Sequence, residues 1–214
     1  MTLPLREFSR RIGAATVTVD AGEHLRTQAD ALLDIVAAYA DELRDEFSVR
    51  AGWAPFMLVA RGGDRLGVVA PDFATKTPDR VGWVGDLTLA LRVLNGQVTV
   101  ARRLPGVEPQ PVHFNDTVLC WRGIENADRL VMSRTARKDH ADDSGWYIDV
   151  FPQPRGSRQA HEFVRWPAFQ LLGVNEHLAR ALLLPVGYGA VVSPTRIDAI
   201  IDLSTTSVAV RGPL

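Results

Sequence analysis

The spacing of apolar residues changes near Pro55, and this change constrains the fold more than any other feature of the chain. From Leu25 onward, apolar residues recur at three- and four-residue steps, which is the period of one face of a helix. Asp20 and Glu23 have the spacing of a capping box, so a long amphipathic helix is predicted over residues 23–46. After Pro55 the apolar runs are short and separated by turn residues, as in strands.

Two of these short runs predict a β-hairpin. Residues 56–60 and 66–70 are apolar, and Gly62-Gly63-Asp64 between them is typical of a tight turn. Residues 86–104 fit two interpretations. Alternating apolar residues on both sides of Asn95-Gly96 favour a second hairpin, whereas a stripe at helical spacing fits a helix with Asp86 as its cap. The hairpin is the interpretation that the turn dipeptide favours.

Three prolines within residues 105–111 predict an extended connector, because proline lacks the amide donor that regular structure needs. The connector predicts two lobes, 1–104 and 112–214, unless the whole chain forms one compact domain. Beyond it we expect an antiparallel meander of three strands, then two short helices and two final strands. In chain order these elements span residues 117–121, 129–132, 146–151, 167–173, 175–184, 186–192 and 197–201.

The predicted fold class is therefore α+β, a mainly antiparallel sheet with a long N-terminal amphipathic helix and short C-terminal helices. With 214 residues, 46% of them hydrophobic, the chain can bury a core without metals or disulfides. A formal charge of −1 gives no electrostatic footprint for nucleic acid, and no apolar run approaches the ~18 residues that span a bilayer. No basic and apolar leader begins the chain, so we expect a cytoplasmic protein without nucleic-acid or membrane partners.

Candidate chemistry concentrates in one turn, which carries the acidic residues and histidine Asp139, His140, Asp142 and Asp143. Imidazole and carboxylate groups bind divalent metals, but four ligands in one turn rarely converge on an ion. The competing interpretation is a solvated turn whose aspartates bond their own backbone amides. Gly145 is expected to adopt a backbone conformation closed to bulkier residues, and Trp146 to anchor the following strand in the core or at an interface. Cys120 lies in an apolar run and is expected to be an inert core residue.

Four segments carry a resemblance to a known family. They are residues 114–118, 131–134, 142–146 and 175–187, and the distinctive one contains Asp143-Ser144-Gly145-Trp146. Through them, residues 114–193 in the C-terminal half resemble the immunity protein 33 family of bacterial polymorphic toxin systems. The resemblance implies a bacterial, cytoplasmic, non-enzymatic protein that binds and neutralises a cognate toxin without a cofactor. It transfers no catalytic residues, only a structural signature of Arg134, Ser144 and Gly145 beside Trp146.

Three hypotheses follow for the function. In the first, the chain binds a toxin through Asp139, His140, Asp142, Asp143, Trp146 and Tyr147, with carboxylates facing a basic surface and the aromatic residues as apolar anchors. In the second, a metal-dependent hydrolase uses His140 with a neighbouring aspartate. In the third, a structural or regulatory module self-associates, and the helix predicted over residues 23–46 packs against a second copy as a homodimer.

Overall fold

Two β-sheets organise the chain in this computed structural model, which describes residues 4–73, 81–136, 142–153 and 158–214. The chain divides into two units, Met1–Asn95 and Gly96–Leu214. The lobes predicted from the proline-rich connector, 1–104 and 112–214, stay a prediction.

The first unit contains a six-stranded sheet in the order β1-β2-β5-β4-β3, with β6 paired to β5. Its strands are β1 (Leu5–Ile12), β2 (Ala15–Gly22), β3 (Ser48–Ala51), β4 (Ala54–Ala60), β5 (Arg65–Pro71) and β6 (Trp83–Val84). β2 and β5 are parallel, and the other neighbours are antiparallel. Helix α1 (Arg26–Ala37) packs against β1, β2 and β3 and buries Leu32, Leu33 and Val36. The predicted hairpin of β4 and β5 is confirmed, with Met57 opposite Val69.

The predicted fold class is wrong in its N-terminal part. The structure is mixed α+β with two sheets and short helices, and the N-terminus consists of strands β1 and β2. α1 is a twelve-residue helix, since beyond it the backbone of Glu46 and Phe47 exchanges hydrogen bonds with Leu58 of β4, both 2.8 Å. Pairing with a strand thus overrides the helical spacing of the sequence. The predicted capping box of Asp20 and Glu23 is wrong, because Asp20 lies in β2 and its carboxylate pairs with Arg61 at 2.7 Å.

Of the two interpretations of residues 86–104, the helix with Asp86 at its start is confirmed and the favoured hairpin is wrong. This segment forms helix α2 (Thr88–Ala101), and the Asp86 carboxylate accepts a hydrogen bond of 2.9 Å from the Thr88 amide at its start. Gly96 lies inside the helix, where a Cβ atom would come within 3.0 Å of the Arg180 side chain. The glycine therefore makes room for a neighbouring side chain, and the sequence pattern of a turn is misleading here.

The second unit contains a seven-stranded sheet in the order β10-β7-β9-β8-β11-β12-β13. The strands are β7 (Thr117–Trp121), β8 (Leu130–Arg134), β9 (Asp143–Val150), β10 (Phe163–Pro167), β11 (Tyr188–Ser193), β12 (Arg196–Asp202) and β13 (Ser207–Arg211). The predicted strands exist, but the predicted antiparallel meander is wrong, because β9 lies between β7 and β8 and runs parallel to β7. The two predicted short helices are confirmed as a 3₁₀ helix (Ala168–Gly173) and α3 (Glu176–Ala181).

One face of this second sheet forms the core of its unit. Val118, Cys120, Met132, Ile148 and Ile200 are fully buried on it, and α3 packs against β11 and β12. The predicted core position of Cys120 is confirmed, and burial, followed by the negative charge of Glu125, raises the pKa of its thiol to about 12. Of the helices in the described part of the chain, none is long and apolar enough to cross a membrane.

His177 in α3 gives the fold a testable dependence on pH. Its Nδ1 atom lies 2.9 Å from Nη1 of Arg180. Burial, followed by the charge of Arg180, lowers the pKa of His177 below its ordinary value of 6.5. As the pH falls through 6.5, the unfolded chain takes up a proton that the folded chain resists, so the free energy of unfolding falls.

We predict that His177→Gln reduces the loss of unfolding free energy between about pH 7.5 and about pH 5.5. Glutamine accepts the same hydrogen bond from Arg180 but takes up no proton in this range. Urea unfolding of both proteins at the two pH values measures the difference. Equal losses in the two proteins would contradict the assignment.

Candidate functional site

The predicted site residues lie in different environments. Asp139 and His140 fall outside the described residues. Asp142 is exposed, and Asp143 and Tyr147 are half-buried. Ser144, Gly145, Trp146 and Arg134 are all buried. The structure thus brings most of the signature together inside the second unit, at the start of β9.

These residues form a bulge between the parallel strands β7 and β9. Thr117 is opposite Asp143, and two residues later on β7 Leu119 is opposite Tyr147. A step of two residues on β7 therefore corresponds to a step of four on β9. Ser144, Gly145 and Trp146 occupy the additional length. Because two residues are added, the side chains that follow keep their faces of the sheet but lie beside different residues of β7.

The polar side chains of the signature hold this bulge in place. Thr117 donates to Asp142 twice, from its amide to the backbone carbonyl at 2.6 Å and from its hydroxyl to the carboxylate at 2.9 Å. The Ser144 hydroxyl donates to the Thr117 carbonyl at 2.7 Å, and the Gly145 amide donates to the Asp143 carboxylate at 2.9 Å. The Asp143 carboxylate therefore bonds a backbone amide two residues away, and the Asp142 carboxylate bonds the hydroxyl of Thr117.

Glycine is the one residue type that fits position 145, at the centre of the bulge. Its φ angle is 76°, in the left-handed region, as the sequence predicted. Its carbonyl accepts a hydrogen bond of 2.9 Å from the Thr135 amide. A Cβ atom at this position would lie less than 3.0 Å from the Thr135 carbonyl oxygen. Both the backbone angle and the close approach thus require glycine.

Trp146 and Arg134 connect the bulge to the segment that follows α3. The indole of Trp146 is 1% exposed and donates to the Leu182 carbonyl at 3.3 Å. The Arg134 guanidinium stands 5.7 Å from the centre of the indole and donates to the carbonyls of Gln110 at 2.6 Å and Leu184 at 2.7 Å. Of the two positions that the sequence allowed for Trp146, the structure shows the core.

The side chain of Tyr147 lies on the opposite side of the sheet from that of Trp146. Side chains alternate along strands, so Leu119 and Trp121 of β7 share a face with Tyr147 of β9, and the register adds Phe163 of β10. These four side chains are half-buried, and Tyr147 and Phe163 contact each other with ring centroids 5.3 Å apart. We call Leu119, Trp121, Tyr147, Asp149 and Phe163, with Arg158 above them, the outer face.

A buried carboxylate orders the outer face. Asp149 is 1% exposed and accepts two bonds from Arg158, at 2.8 and 3.2 Å, and one of 2.7 Å from the Tyr147 hydroxyl. Arg158 also reaches Glu162 at 3.3 Å and covers the ring of Trp121, with its guanidinium carbon 4.7 Å from the ring centroid. Asp149 therefore fixes the positions of the Tyr147 and Arg158 side chains. Arg158 in turn covers the ring of Trp121.

The charges of this network are well defined at neutral pH. Burial acts to raise the pKa of Asp149, but the hydrogen bonds from Arg158 and Tyr147 outweigh it and hold that pKa below its ordinary value. Burial, followed by the bond to Asp149, raises the pKa of the Tyr147 hydroxyl, which stays protonated and donates. The network is thus an ionised carboxylate, a guanidinium and a neutral phenol.

Sequence reasoning found Tyr147 in this network and missed the other members. One signal was available: Asp149 interrupts the apolar run from Trp146 to Phe151, and an acidic residue inside a strand requires a buried partner. The partner, Arg158, lies nine residues further along the chain, so its position could not be read from spacing. Within the described ranges, the structure contains no group of three or more residues arranged to bind a metal.

We predict that Gly145→Ala lowers the free energy of unfolding by about 2 kcal/mol or more, because it adds backbone strain and a clash with Thr135. Gly173→Ala is the matched control, since nothing lies within 4 Å of the added atom, and we expect a change within about 0.5 kcal/mol. Urea unfolding of both variants measures the difference. Equal stabilities would remove the structural role assigned to the bulge.

Comparison with known proteins gives one match. Residues 96–202, half of the chain, match the Imm33-like domain. The match contains β7 to β12, the signature and the outer face, and it confirms the resemblance seen in residues 114–193. No curated protein and no solved structure gives a match. The chain belongs to the Imm33-like domain family, an immunity-protein family.

Proposed function

We propose that this chain is a non-enzymatic immunity protein that binds a cognate bacterial toxin and neutralises it in the cytoplasm of the producing cell. We further propose that the outer face is the contact surface. One observation carries this choice: Trp121, Tyr147 and Arg158 lie together on one half-exposed sheet face. Tryptophan, tyrosine and arginine are the residue types that dominate the binding energy of protein interfaces.

The side chains of the outer face are held in place by hydrogen bonds before any partner binds, and this supports the proposal. Each ordered side chain that a partner immobilises on binding costs about 0.5–1.5 kcal/mol of conformational entropy. Asp149 already holds Tyr147 and Arg158 through three hydrogen bonds, and Arg158 holds Trp121. These side chains have therefore already lost part of their conformational freedom when the protein folds. Binding a partner then costs less conformational entropy, so a larger share of the contact energy contributes to affinity.

The signature residues have a different part in this proposal. Trp146 is buried and Ser144 and Gly145 are inside the bulge, so these residues orient Tyr147 and do not touch the toxin. Asp142 is exposed beside the outer face and can meet a basic group at the rim, where charge speeds encounter more than it adds affinity. This retains the acidic turn of the first hypothesis as a secondary contact.

We predict that Trp121→Ala and Tyr147→Ala each weaken binding of the cognate toxin domain by at least about 30-fold, the loss of about 2 kcal/mol that defines an interface hot spot. Trp83→Ala and Tyr39→Ala are matched controls, because these residues are 43% and 41% exposed and lie in the first unit. Calorimetric titration measures the affinity. Growth of cells that express the toxin domain with each variant measures neutralisation.

Thermal unfolding of every variant accompanies the titration, which is done well below the lowest melting temperature. Weaker binding in both outer-face variants, with both controls unchanged, supports the proposal. Wild-type affinity in the two outer-face variants would place the contact surface elsewhere. No binding by the wild-type chain would contradict the immunity function toward that toxin.

A further inference from the structure

A polar cleft of about 470 Å³ lies beside β12 and is lined by Arg129, Ser193, Arg196, Asp198, Gly212 and Pro213. We propose that this cleft binds an oxyanion, the phosphate or carboxylate group of a small ligand, between the guanidinium groups of Arg129 and Arg196. The site is separate in its residues from the outer face, and the inference does not depend on toxin binding.

A bulge in β12 creates the cleft. Val191 of β11 is opposite Ala199, whereas the next residue, Val192, is opposite Ile197. Asp198 is therefore the additional residue of the bulge, where a strand can direct a side chain away from the regular pleat. Its carboxylate lies between two arginines, 2.8 Å from Nε of Arg196 and 3.3 Å from Nε of Arg129.

This arrangement leaves the cleft with unused positive charge and donors. The Asp198 carboxylate balances one of the two guanidinium charges, so the side chains of Arg129, Arg196 and Asp198 together carry a net charge of about +1. Both arginines contact Asp198 through Nε. Their terminal nitrogens have no hydrogen-bond acceptor in the described part of the chain. Each fork can donate to two oxygens of a carboxylate or of a phosphate.

The charge count holds at neutral pH. The hydrogen bond from Arg196, with the charges of Arg196 and Arg129, holds the pKa of Asp198 below its ordinary value against the opposing effect of burial. Arginine stays protonated throughout the physiological range. Asp198 therefore orients the two guanidinium groups as a fixed anion and leaves a second anion to complete the balance.

The walls of the cleft are ordered before any ligand arrives. Arg129 stacks on the ring of Phe151 at 4.7 Å, and the Ser193 hydroxyl lies 3.3 Å from the Asp198 carboxylate. The Gly212 amide donates to the Asp198 carbonyl at 2.7 Å. A Cβ atom on Gly212 would lie less than 3.0 Å from that carbonyl oxygen, so backbone alone closes this side. Binding therefore requires little rearrangement.

The test is a titration of the ¹⁵N-labelled full chain with sodium phosphate and, separately, with sodium acetate, while sodium chloride keeps the ionic strength constant. We expect saturable shifts of the Gly212 amide and of the Arg129 and Arg196 Nε–H signals. The arm with the lower dissociation constant identifies phosphate or carboxylate as the preferred group.

Arg129→Gln and Arg196→Gln should each weaken the interaction at least about tenfold, because each removes a charged pair of donors. Arg211→Gln, on exposed β13 outside the cleft, should leave the titration unchanged. Absence of saturable shifts in both arms of the wild-type titration would overturn the proposal. So would glutamine variants that bind as the wild type does, and neither result would affect the toxin-binding proposal.

Discussion

The second unit depends on the parallel pairing of β7 with β9 and on the bulge that this pairing contains. Without the bulge, the alternation of β9 would place Trp146 and Tyr147 in a different register relative to β7. With it, the indole of Trp146 is buried beside Arg134, and Tyr147 emerges on the opposite face next to Leu119. A backbone angle that glycine alone adopts readily at position 145 thus sets which residues of β7 lie beside Trp146 and Tyr147. Because the bulge adds two residues, each of these side chains stays on its own face of the sheet.

The outer face follows from this register. Tyr147 and Asp149 lie two residues apart on the same side of β9, so the phenol can donate to the carboxylate. A buried charge is stable when it is paired and hydrogen-bonded, and Arg158 supplies both conditions. The same guanidinium then lies over Trp121. Stability and recognition are therefore linked: the pairing that offsets the burial of Asp149 also fixes the residues proposed to bind the toxin.

The sequence predicted what local patterns determine and failed where distant segments decide. Short apolar runs bounded by turn residues predicted β4, β5, β8 and β9 correctly, and Asn175 predicted the start of α3. The helical stripe after Leu25 was cut short because residues 46 and 47 pair with β4. Gly96 appeared to mark a turn because its actual neighbour, Arg180, is remote in sequence. The order of the strands was not predicted for the same reason. No local sequence pattern indicates that β9 lies between β7 and β8.

The candidate site shows the same division. The special conformation of Gly145 and the alternatives for Trp146 were readable from residue type, whereas the bond between Asp149 and Arg158 required the folded chain. Hydrogen–deuterium exchange of the chain with and without its cognate toxin domain tests whether the outer face is the contact surface. We expect the toxin to slow exchange in peptides covering residues 117–121, 143–150 and 163–167. Slower exchange elsewhere, with these three segments unchanged, would contradict it.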